Sequence, residues 1–244
     1  MSLTAKLMLS PVLVAQALRT RARLPRLPEP AGEREGTVGQ GMTMRLLITG
    51  DSSAAGVGVG HQQHALAPRL AYTLATAAAA RVSWQLRARS GLSTAQTLAL
   101  LLHAKQAAHT LEADVAVVVT GVNDVVDQIP SRRAVAAREA LANWLRNGCG
   151  VQHVVFAPLP PIHQFPGLPQ PLRWVAGHDA ARHNAALCSW ATTRNDVSCV
   201  AMVVPLNRGV MACDGFHPGE PVYRYCANAI ALHIAQRVWP LLHF

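Results

Sequence analysis

The sequence predicts an α/β protein, a three-layer α/β/α sandwich around a mostly parallel five-stranded sheet. Three observations predict it. Apolar, β-branched runs recur at residues 44–49, 82–88, 115–120, 154–157 and 200–204. Helical stretches separate and follow them, at 61–80, 94–109, 131–147, 177–194 and 219–238. Such β-α alternation needs right-handed crossovers, which make the strands parallel and cover both sheet faces with helices. Third, the 244 residues suit one large domain, and with 50% hydrophobic and 14% charged residues the chain can bury a large core. For five strands, 2-1-3-4-5 is the common order.

The elements follow in turn. Ser10 is a good N-cap and Pro11 a good first residue for a helix over 11–23. Its basic end, with Arg19, Arg21 and Arg23, complements the helix dipole. This helix docks on the domain or rests weakly on an anionic membrane surface, and docking is the stronger reading. Residues 7–18 also resemble a short signal core before Ala15-Gln16-Ala17, but Leu18-Arg19-Thr20-Arg21 is an unfavourable mature start. A cytoplasmic location is therefore expected over export. Residues 24–44 are rich in Pro, Gly and charge and read as a linker or surface arm. The expected organisation is a helix and arm over 1–43 and an α/β domain over 44–244. The first strand of that domain stops at Gly50-Asp51-Ser52, the second at Arg89-Ser90-Gly91, and the third at Gly121-Val122-Asn123-Asp124. The fourth runs into a segment with six prolines between 158 and 171. Cys213-Asp214-Gly215-Phe216-His217-Pro218 precedes the final helix.

Composition narrows the function. The net charge of +9 raises nucleic-acid binding, but the basic residues are scattered and no zinc-finger or RNA-binding signature is present. No nucleic-acid partner is expected. Five cysteines without CxxC spacing argue against a disulfide framework and a zinc site. No run reaches the ~18–20 apolar residues of a membrane span.

The loops after parallel strands open on one edge, where open α/β sheets bind ligands. Their residue types suit acyl transfer. Ser52 is placed as a nucleophile, which needs a base to take its proton. His217 can act near neutrality, and Asp214, three residues earlier, can hold its ring and stabilise the imidazolium. The backbone N–H groups of Ser52 and Gly91 and the side-chain amide of Asn123 are the candidate oxyanion donors.

With these blocks in order, the chain resembles the SGNH hydrolase superfamily, GDSL-type esterase/lipase branch, over roughly residues 44–240. Gly50-Asp51-Ser52, Gly91, Gly121-Val122-Asn123-Asp124 and Asp214 with His217 carry the resemblance. It implies a flavodoxin-like fold, with Ser52 as nucleophile, His217 as base, Asp214 as its orienting acid, and Ser52, Gly91 and Asn123 around the oxyanion. It implies no metal and no organic cofactor. Ser53 replaces the leucine of the GDSL signature, and the N-terminal arm lies outside the core family pattern.

The expected activity is hydrolysis of small-molecule carboxylic esters with short- to medium-chain acyl or aryl groups. An acyltransferase or deacetylase on a sugar or alcohol acceptor, or a non-catalytic binding module on the same fold, are the alternatives. The apolar Pro-rich segment offers Ile162, Phe165 and Leu168 as a substrate wall. Nothing in the sequence specifies an oligomeric state.

Overall fold

The computed structural model describes residues 3–107, 110–204 and 206–242. In chain order the elements are α1 (Leu3–Arg23), β1 (Glu35–Val38), β2 (Thr43–Gly50), α2 (Ser52–Ala55), α3 (Leu66–Ala77), β3 (Arg81–Ala88), α4 (Thr94–Gln106), β4 (Val115–Val119), α5 (Val122–Val126), α6 (Ser131–Cys149), β5 (His153–Phe156), α7 (Leu172–Ala191), β6 (Val197–Cys199) and α8 (Glu220–His233). They form one sheet in the order β1-β3-β2-β4-β5-β6. The last five of these strands are parallel in the expected 2-1-3-4-5 pattern.

The alternation of side chains along β2 and β4 builds the layers. Leu46, Ile48, Val115 and Val117 pack with Leu70 and Leu74 of α3 and Ile230 of α8. Leu47, Ala116 and Val118 point to the other face, against Leu101 of α4, Leu141 and Leu145 of α6 and Leu187 of α7. Both faces are buried, which is why these strands read as continuous apolar runs.

Two strand expectations change. The sheet has six strands, because Glu35–Val38 within the arm pairs antiparallel with β3, Glu35 opposite Gln85 and Val38 opposite Val82. That strand is mostly exposed and has one strongly apolar residue, so it carries no periodic signal. The last parallel strand is Val197–Cys199 instead of 200–204. Its partner β5 ends at Phe156, whose carbonyl takes the Val200 amide at 3.1 Å. Beyond that point no described residue pairs with the sheet, and Val204 and Leu206 pack into a separate apolar cluster.

Helix boundaries shift more modestly. The expected 61–80 helix begins at Leu66, after a short 3₁₀ turn at Gln62–His64. The expected 177–194 helix begins earlier, at Leu172, directly after Pro171. Gly177 lies inside it, where a Cβ would come 2.6 Å from the His163 side chain. The helix expected over 94–109 is helical through Gln106, and residues 108 and 109 lie outside the described residues. The N-terminal helix starts before Pro11 and is docked: Leu13 is buried, and the Gln16 side chain bonds to the Gln170 carbonyl (2.6 Å) and the Leu172 amide (3.1 Å). Among the described residues no helix is long and apolar enough to cross a membrane.

Candidate active site

Parallel register brings three loops to one level, since Gly50 pairs with Ala88 of β3 on one side and with Val119 of β4 on the other. Gly50 has φ +149°, and a Cβ there would sit 1.9 Å from the Val119 carbonyl oxygen. Only glycine fits that approach. The chain turns immediately into α2. Asp51 caps this helix by accepting the Ser53 amide at 2.9 Å. Ser52 is thus the first helical residue, and its N–H has no partner within the helix.

The turn before α8 supplies His217. Ala212 N–H bonds to the His217 carbonyl, and Gly215, at φ +63°, lets the loop reverse. His217 Nε2 lies 3.1 Å from Ser52 Oγ, and His217 Nδ1 lies 2.6 Å from Asp214 Oδ2. The other Asp214 oxygen accepts the amides of Phe216 (2.9 Å) and His217 (3.0 Å). The Asp214 side chain is buried and that of His217 is partly open. Burial alone would raise the Asp214 carboxyl. The hydrogen bonds from the His217 ring and the two amides outweigh it and hold the group below the usual carboxylate range. An ionised Asp214 fixes the proton on Nδ1 and leaves Nε2 free to accept the Ser52 hydroxyl hydrogen.

Asn123 stands near the start of α5 and lines the same cavity as Ser52 and His217. One of its amide hydrogens bonds to the Leu92 carbonyl at 2.9 Å, which orients the group and leaves the second hydrogen available. Gly91 is exposed at φ +81° in the loop leading to α4, and it does not line that cavity. Asp124, present in the third sequence block without an assigned role, ties the second and third loops together. Its carboxylate accepts the Thr94 amide (3.0 Å) and hydroxyl (2.6 Å) and faces the fully buried Arg138 at 3.6 Å. Asp51 is also buried, and desolvation pushes its carboxyl up to about 7 despite the Ser53 amide and nearby His217.

A cavity of about 100 Å³ opens beside Ser52 and runs into the apolar layer. Leu66, Met202, Tyr223, Cys226 and Ile230 line its inner part. Tyr223 donates its hydroxyl to the Val57 carbonyl at 2.6 Å, so it presents an apolar ring without an unpaired polar atom. Burial pushes the Cys226 thiol up to about 12, which keeps it neutral. Of the three Pro-rich-segment residues expected as a wall, Phe165 lines the cavity. Ile162 and Leu168 do not. Ile162 opens a 3₁₀ turn and packs inward in the cluster of Val125 and Phe165, with Leu168 against it. The walls from Met202 and from α8 carry no separate signal in the sequence, where 200–204 reads as strand and α8 as an ordinary helix face.

The model of the GDSL-like lipase/acylhydrolase family matches residues 48–225. No curated protein matches the sequence. Among solved structures, a lipase from a goat rumen metagenome superposes with a TM-score of 0.64 at 19% identity, covering 80% of this chain and 99% of that one. An acetylxylan esterase from Geobacillus stearothermophilus gives 0.58 at 17% identity, covering 82% and 97%. The psychrotrophic esterase EstA from Pseudoalteromonas sp. gives 0.56 at 15% identity, covering 80% and 98%. At these identities the likeness is one of fold.

Proposed function

The chain belongs to the GDSL-like lipase/acylhydrolase family and is an ester-bond hydrolase, and we propose that it is a serine esterase for short- to medium-chain acyl esters. Ser52 attacks the ester carbonyl as His217 takes its proton, and an acyl-enzyme forms as the alcohol leaves. His217 then activates water, which releases the acid and restores Ser52. Asp214 stabilises the imidazolium in both halves. The Ser52 and Gly91 amides and the Asn123 side chain hold the oxyanion.

The relay of hydrogen bonds Asp214–His217–Ser52, at 2.6 and 3.1 Å at the mouth of an apolar cavity, supports this reading most directly. The cavity also bears on the acyl group. An apolar void of roughly 150 Å³ accepts benzene. A cavity of about 100 Å³ therefore suits a tail of about four carbons.

The test is hydrolysis of p-nitrophenyl acetate, butyrate and octanoate by the wild type and Ser52→Ala. Butyrate is expected to give the highest kcat/KM, and Ser52→Ala to reduce turnover to background. A phosphonate ester should label Ser52 in the folded wild type. Full activity in Ser52→Ala would exclude Ser52 as the nucleophile.

A further inference from the structure

The loop that carries Gly91 is buried at Leu92 and Ser93 but open at its tip. Arg89, Ser90 and Gly91 are exposed, and a Cβ on Gly91 would meet nothing within 4 Å. Hydrogen bonds hold it instead. The Arg89 amide reaches the Gly50 carbonyl at 3.3 Å, and the Leu92 carbonyl accepts Asn123 at 2.9 Å. Between them the Ser90 amide donates to Glu29 Oε1 at 2.7 Å. Glu29 comes from the N-terminal arm, 61 residues away in sequence.

The arm is anchored on both sides of the nucleophile. Glu29 Oε2 pairs with Arg34 Nη1 at 3.0 Å, and Arg34 also donates to the carbonyl of Ala88, the last residue of β3. The Arg34 carbonyl accepts the Leu86 amide at 2.6 Å, and β1 begins at the next residue. On the other flank the Ala31 carbonyl accepts the Gln62 amide at 2.9 Å, and the Gln62 side chain donates to the carbonyl of Ala55, which ends α2, at 2.8 Å. The arm therefore touches both flanks of Ser52: Glu29 and Arg34 lie against the end of β3 and the loop after it, and Ala31 lies against the segment after α2.

We propose that Glu29 and Arg34 are positioning residues for catalysis. Glu29 fixes the Ser90 amide and with it the adjoining Gly91 peptide, so a Gly91 amide that serves the oxyanion need not reorganise as charge develops. A bare carboxylate there would oppose that negative charge, and the Arg34 guanidinium cancels it. The inference rests on the assignment of Gly91 to the oxyanion hole. It makes the arm segment from Glu29 to Arg34 a working part of the site.

The experiment measures kcat and KM for p-nitrophenyl butyrate on the full chain, with thermal melts of every variant. Glu29→Ala is expected to lower kcat about 10- to 100-fold with KM within about twofold, the effect of a slightly misplaced donor. Glu29→Gln should recover most of the loss, because its amide oxygen still accepts from Ser90. Arg34→Ala should lower kcat by leaving Glu29 unpaired, and adding Glu29→Gln to it should restore part of the rate. Phosphonate labelling of Ser52 should slow in the same order. A kcat for folded Glu29→Ala within twofold of wild type, or a Gln variant no better than Ala, overturns the proposal. Asn123→Ala and Ser52→Ala separate the two levels: if either retains wild-type kcat, the underlying oxyanion and nucleophile assignment fails. If both lose activity and Glu29→Ala does not, only the positioning role fails.

Discussion

His217 is held by one acid whose two oxygens do different work. Asp214 Oδ2 meets the ring, and Oδ1 binds the amides of Phe216 and His217, so the turn and the tautomer depend on the same group. Asp214→Asn should keep the turn largely intact, because an amide oxygen can still accept those N–H groups. It would favour the wrong imidazole tautomer, with a fall in kcat of about 10⁴ and little change in KM. Asn123→Ala removes one proposed oxyanion donor and should cost about 2.7–4 kcal/mol of transition-state stabilisation. Steady-state kinetics at matched folded fractions checks both, and a kcat within tenfold of wild type for either variant would remove that residue from its role. These residues are legible in the sequence because the chain itself keeps them together. Asp214 and His217 share one turn, and Ser52 directly follows Gly50-Asp51. Glu29, Thr94 and Arg138 are not legible, because their partners Ser90 and Asp124 lie far along the chain and only the folded sheet edge brings them near.

At the level of elements, α8 does two jobs. It starts just after His217, and its inner face carries Val222, Cys226 and Ile230 at successive turns along the cavity. Eight residues of helix span about 12 Å, which places Ile230 farthest from His217 along this wall. Ile230→Ala should therefore move the acyl preference from the proposed butyrate optimum toward octanoate. It should also lower stability by about 2–5 kcal/mol, since Ile230 is almost fully buried. A chain-length profile identical to wild type in the folded variant would show that α8 does not bound the acyl site. The α8 pattern predicts a helix in the sequence, but a cavity wall and a core face use the same apolar residues at the same spacing. β2, β4 and β5 are readable for a related reason, since burial on both faces makes continuous apolar runs. β1 leaves no such signal because an exposed edge strand needs no apolar run, and 200–204 reads as strand because a cavity wall is just as apolar.

Across the whole molecule, stability in mild acid is a contest between buried groups. Desolvation lowers His153 to about 4, with the neighbouring His233 acting in the same direction. His183 and His233 are also lowered, chiefly by burial. His153 and His233 share the Ser198 hydroxyl at 2.9 and 2.8 Å, a bridge that ties β5 and β6 to the end of α8. These rings fold neutral. Their contribution is complete above the unfolded histidine pKa near ~6.5 and is lost as pH falls toward about 4 for His153. Asp51 works in the opposite direction. Its folded value of about 7 exceeds the unfolded value of 3.8, so its contribution is complete below the lower value and is lost as pH rises through the higher one. Between pH 4 and 6.5 three histidines oppose one carboxyl, and the melting temperature should rise with pH. Asp51→Asn should steepen that rise by removing the opposing group, and His153→Gln should flatten it. Melts of the three proteins at half-unit pH steps decide the matter. If Asp51→Asn leaves the slope unchanged, Asp51 is ionised across this range, and the acid sensitivity belongs to the histidines alone.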